Sequence, residues 1–400
     1  MQAWSSALAA KPPIAADKLR LGFGLGSRRK DHVAFIKPAY SNNRINAAGR
    51  LLAESVGKHH TEVNAIEVAL ATVVLNNFRA AHLYPINTFQ ATLRKRLKNI
   101  DPKALVGQRL KRSPSILLKL SRNDGMQLAR MQDIGGLRAV VSNIHRARQL
   151  EALYRAGKVQ HSLASSKDYI LEPKADGYRS IHLVFRYKNA NAPDYDGLRL
   201  ELQIRTKLQH EWATAVETAS TFLGQALKAG QGDDAWKEFF LACSAAMCHM
   251  EKQPMPPGYE SAKQEDIVAL VKTCEAPLNA LARLRGFSIA AEGIYRAKGQ
   301  GRYHLVELNT EARQVRITPY PTARLADAEA AYAEAEKRAQ EGEPIDVVLV
   351  AAGSVEAMKR AYPNYFLDAQ GFVSKIGKLI GWVPTSASWT EVGPHLPAGR

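Results

Sequence analysis

The chain is poor in cysteine, has no long apolar run and carries few acids for its bases, and each shortage excludes something. Three cysteines in 400 residues, Cys243, Cys248 and Cys274, form no even disulfide framework, which agrees with a reducing compartment. Cys243, Cys248 and His249 share a helical run from Trp236 to Met250 that contains no Cys-x-x-Cys pair, so they do not read as a metal site. No stretch reaches the roughly 18 consecutive apolar residues of a membrane span, and Met1 to Pro13 lacks a basic segment followed by an apolar one. A cytoplasmic location and no membrane partner are the expectations. Gly22-Phe23-Gly24-Leu25-Gly26 has neither a preceding strand nor a Gly-Lys-Ser ending, which removes it as a phosphate loop.

What is present is a cationic globular chain. Hydrophobic residues make up 46%, enough for real cores, and the length suggests roughly two or three domains. The balance of 55 Lys and Arg against 38 Asp and Glu gives a net charge of +17, and such an excess points to polyanionic partners. Cations crowd into one window, Arg94, Lys95, Arg96, Lys98, Lys103, Arg109, Lys111, Arg112, Lys119 and Arg122, with Asp101 the only acid between Arg94 and Asn123. Phosphate contact is expected there.

Periodicity divides the chain. Residues 1–35 mix Pro, Gly and Ser with Arg28-Arg29-Lys30 and read as a mobile arm. A helical leader follows over 36–90. Ser41 or Asn42 caps a helix through about Val56, and Thr61 with Asn64 opens another through Ala81. The basic window reads as helical up to Asp133. Short β-rich pieces, Leu137 to Val141, Ile181 to Tyr187 and Leu198 to Ile204, alternate with a helix over Arg146 to Arg155. They imply an α+β fold, a mixed sheet with helices packed on it. Helical runs over 207–228 and 232–251 close this unit. A second α+β module over 261–382 begins with a helix from Ser261 to about Arg285 interrupted at Pro277. It continues with strands Tyr303 to Leu308 and Gln314 to Pro319, a helix Leu325 to Gln340, strand Ile345 to Val350 and a short helix ending near Tyr362. The tail, 383–400, reads as disordered.

The chemistry concentrates between Met131 and Trp212, in Asp-Ile-Gly-Gly-Leu-Arg (133 to 138), Lys-Ala-Asp-Gly-Tyr-Arg-Ser-Ile-His (174 to 182) and Glu-Leu-Gln-Ile-Arg-Thr (201 to 206). Two carboxylates, clustered cations and an aromatic fit a nucleotide-handling site. Ser115, Lys119 and Arg122 stand at helical spacing, so one face can hold a triphosphate.

In order and spacing these motifs resemble the synthetase domain of the RelA/SpoT family, nucleotidyltransferase-like enzymes that move pyrophosphate from ATP to the 3′-hydroxyl of a second nucleotide. The resemblance covers about residues 90 to 225 and implies a pyrophosphokinase domain over 90–255. It implies that Asp133 and Glu201 are catalytic and hold Mg²⁺, Glu201 also orienting or deprotonating the hydroxyl. Lys111, Ser115, Lys119 and Arg122 would contact the phosphates of the substrate ATP, and Arg109 and Arg138 would sandwich its adenine. Lys174, Tyr178, His182 and Gln203 would place the acceptor, Tyr178 by stacking on its base. The sequence departs from the family at Asp176, usually Asn, and at Glu217-Thr218, usually Glu-His. No His-Asp pair of a hydrolase domain precedes the motifs, since Asp31-His32 is reversed and isolated.

Pro38-Ala39-Tyr40-Ser41-Asn42, Asn76-Asn77-Phe78-Arg79 and His82-Leu83-Tyr84-Pro85 look like the leader of small RelA-like toxins and of CapRel-type fused toxin-antitoxin proteins. That likeness implies a tRNA 3′ CCA end as acceptor in place of GDP or GTP, the choice that makes (p)ppGpp. It also implies a phage protein as trigger and an autoinhibitory Tyr362-Pro363-Asn364-Tyr365 that covers the ATP site near Arg109 and Arg138. A non-catalytic RNA- or ribosome-binding regulator is the alternative of another class.

Overall fold

The computed structural model describes residues 35–55, 64–123, 125–157, 160–223, 234–296, 301–351, 369–382 and 389–393. Its first helices are α1 (Asn42–Glu54), α2 (Ala65–Ala81) and α3 (Leu83–Ile100). The Ser41 side chain accepts from the Arg44 amide and that of Asn64 from the Ile66 amide, two N-caps that satisfy otherwise orphaned donors. Then follow β1 (Leu105–Leu110), α4 (Ser113–Ser121), β2 (Gly135–Val141), α5 (Ile144–Arg155), β3 (Ser162–Asp168), β4 (Ile181–Arg186), β5 (Arg199–Thr206), α6 (Lys207–Phe222) and α7 (Asp234–Glu251).

The five strands form one sheet in the order β1-β2-β5-β4-β3, with β2 and β5 parallel and every other neighbour antiparallel. Because successive side chains on a strand point to opposite faces, the alternation in β2, β4 and β5 decides what each face does. Leu137, Ala139 and Val141, then Ile181, Leu183 and Phe185, then Leu200, Leu202 and Ile204 all enter one core, which Ile86, Phe89 and Leu93 of α3 and Leu150 and Tyr154 of α5 cover. A large side chain removed from such a core costs about 3–5 kcal/mol. The opposite face receives the intervening residues, Arg138, His182, Glu201, Gln203 and Arg205, and becomes polar.

The remaining elements are α8 (Gln264–Leu278), α9 (Ala280–Arg296), β6 (Tyr303–Asn309), β7 (Gln314–Tyr320), α10 (Leu325–Gln340), β8 (Ile345–Ala351), α11 (Gln370–Ile380) and β9 (Thr390–Val392). They give a second sheet, β8-β6-β7-β9, packed on α9 through Phe287, Val306, Leu308 and Val315 and on α10 through Leu305 and Ala328. Helices α6, α7, α8, α9 and α11 share one further core, with Trp212, Phe239, Phe240, Leu281 and Phe372 at its centre. Gly286 permits α9 to lie against β6, since a Cβ there would stand 2.1 Å from Leu308 Cδ1. No helix among the described residues is long and apolar enough to cross a membrane.

Several expectations need correction. The basic window is not one helical region: α3 stops at Ile100, and Arg109 lies on strand β1, which pairs with β2 through Arg109 opposite Gly136. The break between α8 and α9 falls at Asn279, in the left-handed conformation (φ 46°), while Pro277 sits inside α8; the second helix runs on to Arg296. Part of the tail read as disordered forms β9, parallel to β7. The expected helix near Tyr362 lies outside the described residues.

Candidate active site

Strand register assembles the site. Across the polar face Arg138 of β2 lies opposite Gln203 of β5, and Gln203 opposite His182 of β4; one step along, Gly136 lies opposite Glu201. Arg109 of β1 faces Gly136, and Gly107 faces Arg138. A cavity opens here, lined by Gly107, Gln108, Arg109, Asp133, Gly136, Leu137, Arg138, Glu201 and Gln203. A Cβ at Gly107 would meet nothing within 4 Å, and one at Gly136 would come no closer than 3.8 Å to the Arg109 carbonyl. The glycines thus leave a floor without side chains between two guanidiniums and a carboxylate.

Asp133, in the loop that enters β2, is clamped by two ammoniums: Lys111 Nζ at 2.7 Å from Oδ2 and Lys119 Nζ at 3.1 Å from Oδ1. Burial alone would raise its pKa, but the two lysines outweigh burial and hold the carboxyl below its usual range. Ser115, one turn before Lys119, and Arg122, at the C-cap, flank it on α4. Helix α4 carries Lys119 in its last turn and begins with Pro114 in its first, where the missing N–H costs no helical bond.

Glu201 belongs to a chain of hydrogen bonds. His182 Nδ1 lies 2.9 Å from its Oε1, and Gln203 Nε2 donates to its Oε2 at 2.8 Å. His182 Nε2 shares a proton with Tyr178 Oη at 2.8 Å, and Arg205 Nη2 donates to that oxygen at 2.6 Å and to Gln203 Oε1 at 3.1 Å. Burial opposes charge on Glu201, yet the His182 hydrogen bond and charge lower its pKa, while Glu201 and Tyr178 raise that of His182 against burial. Burial would likewise raise Tyr178, but Arg205 and then His182 bring its phenol down to about 7. Lys174 Nζ stands over the rings of Tyr169 at 4.8 Å and Tyr178 at 5.2 Å.

The turn that presents Tyr178 is built for close approach. Gly177 has φ +84°, and a Cβ there would fall 2.8 Å from that of Ser244 on α7. Ser244 Oγ donates to the Gly177 carbonyl at 2.6 Å, and Asp176 Oδ1 accepts from the Tyr178 amide at 2.9 Å. Asp176, the residue that departs from the family, therefore serves the turn. Thr218, the other departure, is fully buried in α6 and donates to the Thr214 carbonyl, so it does not face the polar surface.

The expected residues thus divide. Arg109, Asp133, Arg138, Glu201 and Gln203 share the cavity, Lys111 and Lys119 bind Asp133, and Tyr178, His182 and Lys174 join through Glu201 and ring contacts. Tyr362 and Tyr365 lie outside the described residues. Sequence reasoning gave no role to Arg205, buried under the Tyr178 ring with Cζ 5.0 Å from its centroid. The alternation Glu201, Gln203, Arg205 on one face was the signal for it.

The depressed phenol gives a titration test. An acid whose folded pKa lies below its unfolded value adds stability that is full above the unfolded pKa, near 10, and is lost as pH falls through the folded one, about 7. Near-ultraviolet tyrosinate absorbance should therefore show one tyrosine ionising near pH 7, well ahead of the others. Tyr178→Phe should erase that step; a step that persists assigns it to another tyrosine.

Two carboxylates, a cationic clamp, a side-chain-free floor and a tyrosine at its edge thus meet on one polar face of an α+β sheet. Residues 108–222 match a family described as the region found in RelA/SpoT proteins. It is 34% identical over 116 residues to GTP pyrophosphokinase YjbM of Bacillus subtilis (strain 168), a match that covers 28% of this chain and 54% of that protein. The chain therefore spans about half the length of that curated relative. Among solved structures it is similar to small alarmone synthetase 1 from Bacillus subtilis (27% identity, 42% of this chain and 90% of that one, TM-score 0.36). A GTP pyrophosphokinase family protein from Streptococcus pneumoniae is also similar (24%, 44% and 88%, TM-score 0.38).

Proposed function

We propose that the protein is an ATP pyrophosphokinase: the 3′-hydroxyl of a nucleotide acceptor attacks the β-phosphorus of ATP, the bond from that phosphorus to the α,β-bridging oxygen breaks, the β,γ-pyrophosphate moves to the acceptor and AMP leaves. The observation that carries this is the pairing of two differently held carboxylates in one site, Asp133 between two lysines and Glu201 between His182 and Gln203. Asp133 and Glu201 supply hard oxygen donors at the cavity's edge, and two carboxylates completed by substrate oxygens suit Mg²⁺ better than an all-protein cage does. When bound, Mg²⁺ would neutralise the triphosphate. Lys111, Lys119 and, on the same helix, Ser115 and Arg122 would hold the phosphates, and Arg109 and Arg138 the adenine over the glycine floor. Glu201 orients the acceptor hydroxyl and takes its proton, while Tyr178, with Lys174, His182 and Gln203, positions the acceptor.

The favoured acceptor is the 3′ CCA end of tRNA, supported by the +17 charge, since RNA needs a broad cationic surface where a free nucleotide needs a pocket. The second reading is guanosine alarmone synthesis, favoured by the likeness to a GTP pyrophosphokinase. The proposal extends to biology: a fused toxin-antitoxin of phage defence, its Tyr362 and Tyr365 restraining the ATP site until a phage protein releases it. Radiolabelled ATP offered with tRNA or with GDP tests the acceptor. Label should enter tRNA, and Tyr362→Ala with Tyr365→Ala should label it faster; transfer to GDP alone would install the second reading.

A further inference from the structure

The polar face carries a like-charged pair with no role in the site described above. Arg186 lies directly opposite Arg199 across the β4–β5 ladder, next to the Val184 and Glu201 pair. Strand alternation puts both arginines on the Glu201 side of the sheet. Arg130, in the turn before β2, completes a triad: Arg199 donates from Nη1 to the Arg130 carbonyl at 2.9 Å. Arg130 and Arg186 are exposed, and Arg199 is half-buried. Among the described residues no carboxylate forms an ion pair with any of the three, and the nearest catalytic carboxylate on that face, Glu201, is engaged by His182 and Gln203.

Like charges directly opposite on a sheet destabilise it, so the fold gains nothing from this arrangement. Burial, then the fields of Arg186 and Arg130, lower the pKa of Arg199, in keeping with the cross-strand pairing and the Arg130 carbonyl contact that bring the three together. A divalent or polyvalent anion would reverse that repulsion, and guanidiniums suit phosphate because their planar fork binds it bidentately.

Resting on the pyrophosphokinase reading, we propose that Arg130, Arg186 and Arg199 hold a backbone phosphate of an RNA strand whose 3′ end lies at Glu201. Arg199 is two residues from Glu201 on one strand, roughly 7 Å along it, so a phosphate on the triad stands one nucleotide's reach from the reacting hydroxyl. The triad is an open surface outside the cavity, which suits a continuous strand. A cationic track beside an aromatic platform, here Tyr178, is how single-stranded nucleic acid is bound without sequence readout.

The test uses Arg130→Gln with Arg186→Gln in the full chain, two side chains that make no hydrogen bond among the described residues. In a Glu201→Gln background, which prevents turnover, a labelled short RNA ending in CCA is titrated by fluorescence anisotropy at several salt concentrations. The double variant should bind roughly tenfold or more weakly, with a salt slope smaller by about one per guanidinium removed. Arg186→Glu alone should weaken binding at least as much as Arg186→Gln. With Glu201 restored, transfer to the RNA should fall far more than transfer to GDP. Unchanged RNA affinity and slope would overturn the proposal, and so would an equal loss with GDP, which would make a free nucleotide's phosphate the ligand. Transfer from ATP to neither acceptor by the wild type would instead overturn the pyrophosphokinase reading, while the anisotropy would still score the triad.

Discussion

Glu201→Gln should lower pyrophosphate transfer by about 10²–10⁴-fold, the usual worth of a positioned general base, while ATP binding changes little. The amide keeps the shape of the carboxylate, and its oxygen can still accept from Gln203 Nε2, now 2.8 Å away from Glu201 Oε2. What disappears is the charge. The variant can neither take the proton of the acceptor hydroxyl nor supply an anionic oxygen to Mg²⁺. It also removes the counter-charge that helps hold the His182 pKa up, so the Tyr178 ionisation should move as well. Single-turnover transfer with labelled ATP measures the first effect and tyrosinate titration the second. Near wild-type turnover with either acceptor would remove Glu201 from the chemistry and leave it a structural partner of His182.

How far such a site is legible from sequence depends on whether its geometry is local. Strand alternation is local, so the pattern of β5 already separates Leu200, Leu202 and Ile204 from Glu201, Gln203 and Arg205. Helix α10 has the bounds its Ala/Glu-rich periodicity indicates, Leu325–Gln340. Strand β3 was missed because Ser162–Asp168 contains almost nothing apolar. It is an edge strand held by backbone pairing to β4, with most of its side chains exposed. Strand β1 was hidden by Gly107 within it and by the cations Lys103, Arg109, Lys111 and Arg112 in and around it.

Helix α11 shows why glycine misleads. Gly371 and Gly377 argue against a helix on propensity, yet a Cβ at Gly371 would fall 2.6 Å from Glu211 Oε1 and one at Gly377 3.1 Å from the Trp382 ring. Close packing of α11 on α6 requires Gly371, and Gly377 makes room for Trp382 to fold back on the helix; Lys375 then pairs with the buried Glu211. That partnership joins residues far apart in sequence, which no local pattern can reveal. The Asp133 clamp is a similar case: the family resemblance pointed to its members, but not to the convergence of both lysines on one carboxylate.

A second large effect is expected at Glu251, the last residue of α7, which lies beyond the region shared with RelA/SpoT proteins. Its carboxylate, 9% exposed, accepts from Arg179 Nη1 at 2.7 Å, and that guanidinium is 1% exposed. It also accepts from Thr206 Oγ1 at 2.5 Å and from Gln209 Nε2 at 3.1 Å, the two residues that form the capping box of α6. Glu251→Ala would leave Arg179 charged, buried and without its carboxylate, a change that costs about 3–5 kcal/mol against a typical total stability of about 5–15 kcal/mol. Urea unfolding should register the loss as a lower midpoint. Because Arg179 follows Tyr178, the turn should loosen too, so kcat/KM for the acceptor should fall more than that for ATP. Replacing both partners, Arg179→Leu with Glu251→Leu, should be less damaging than Glu251→Ala, since no buried charge is then stranded. If Glu251→Ala unfolded at the wild-type urea concentration, the ion pair would not be what fastens the Tyr178 turn to α7, and the Ser244 hydroxyl on the Gly177 carbonyl would be left as its anchor.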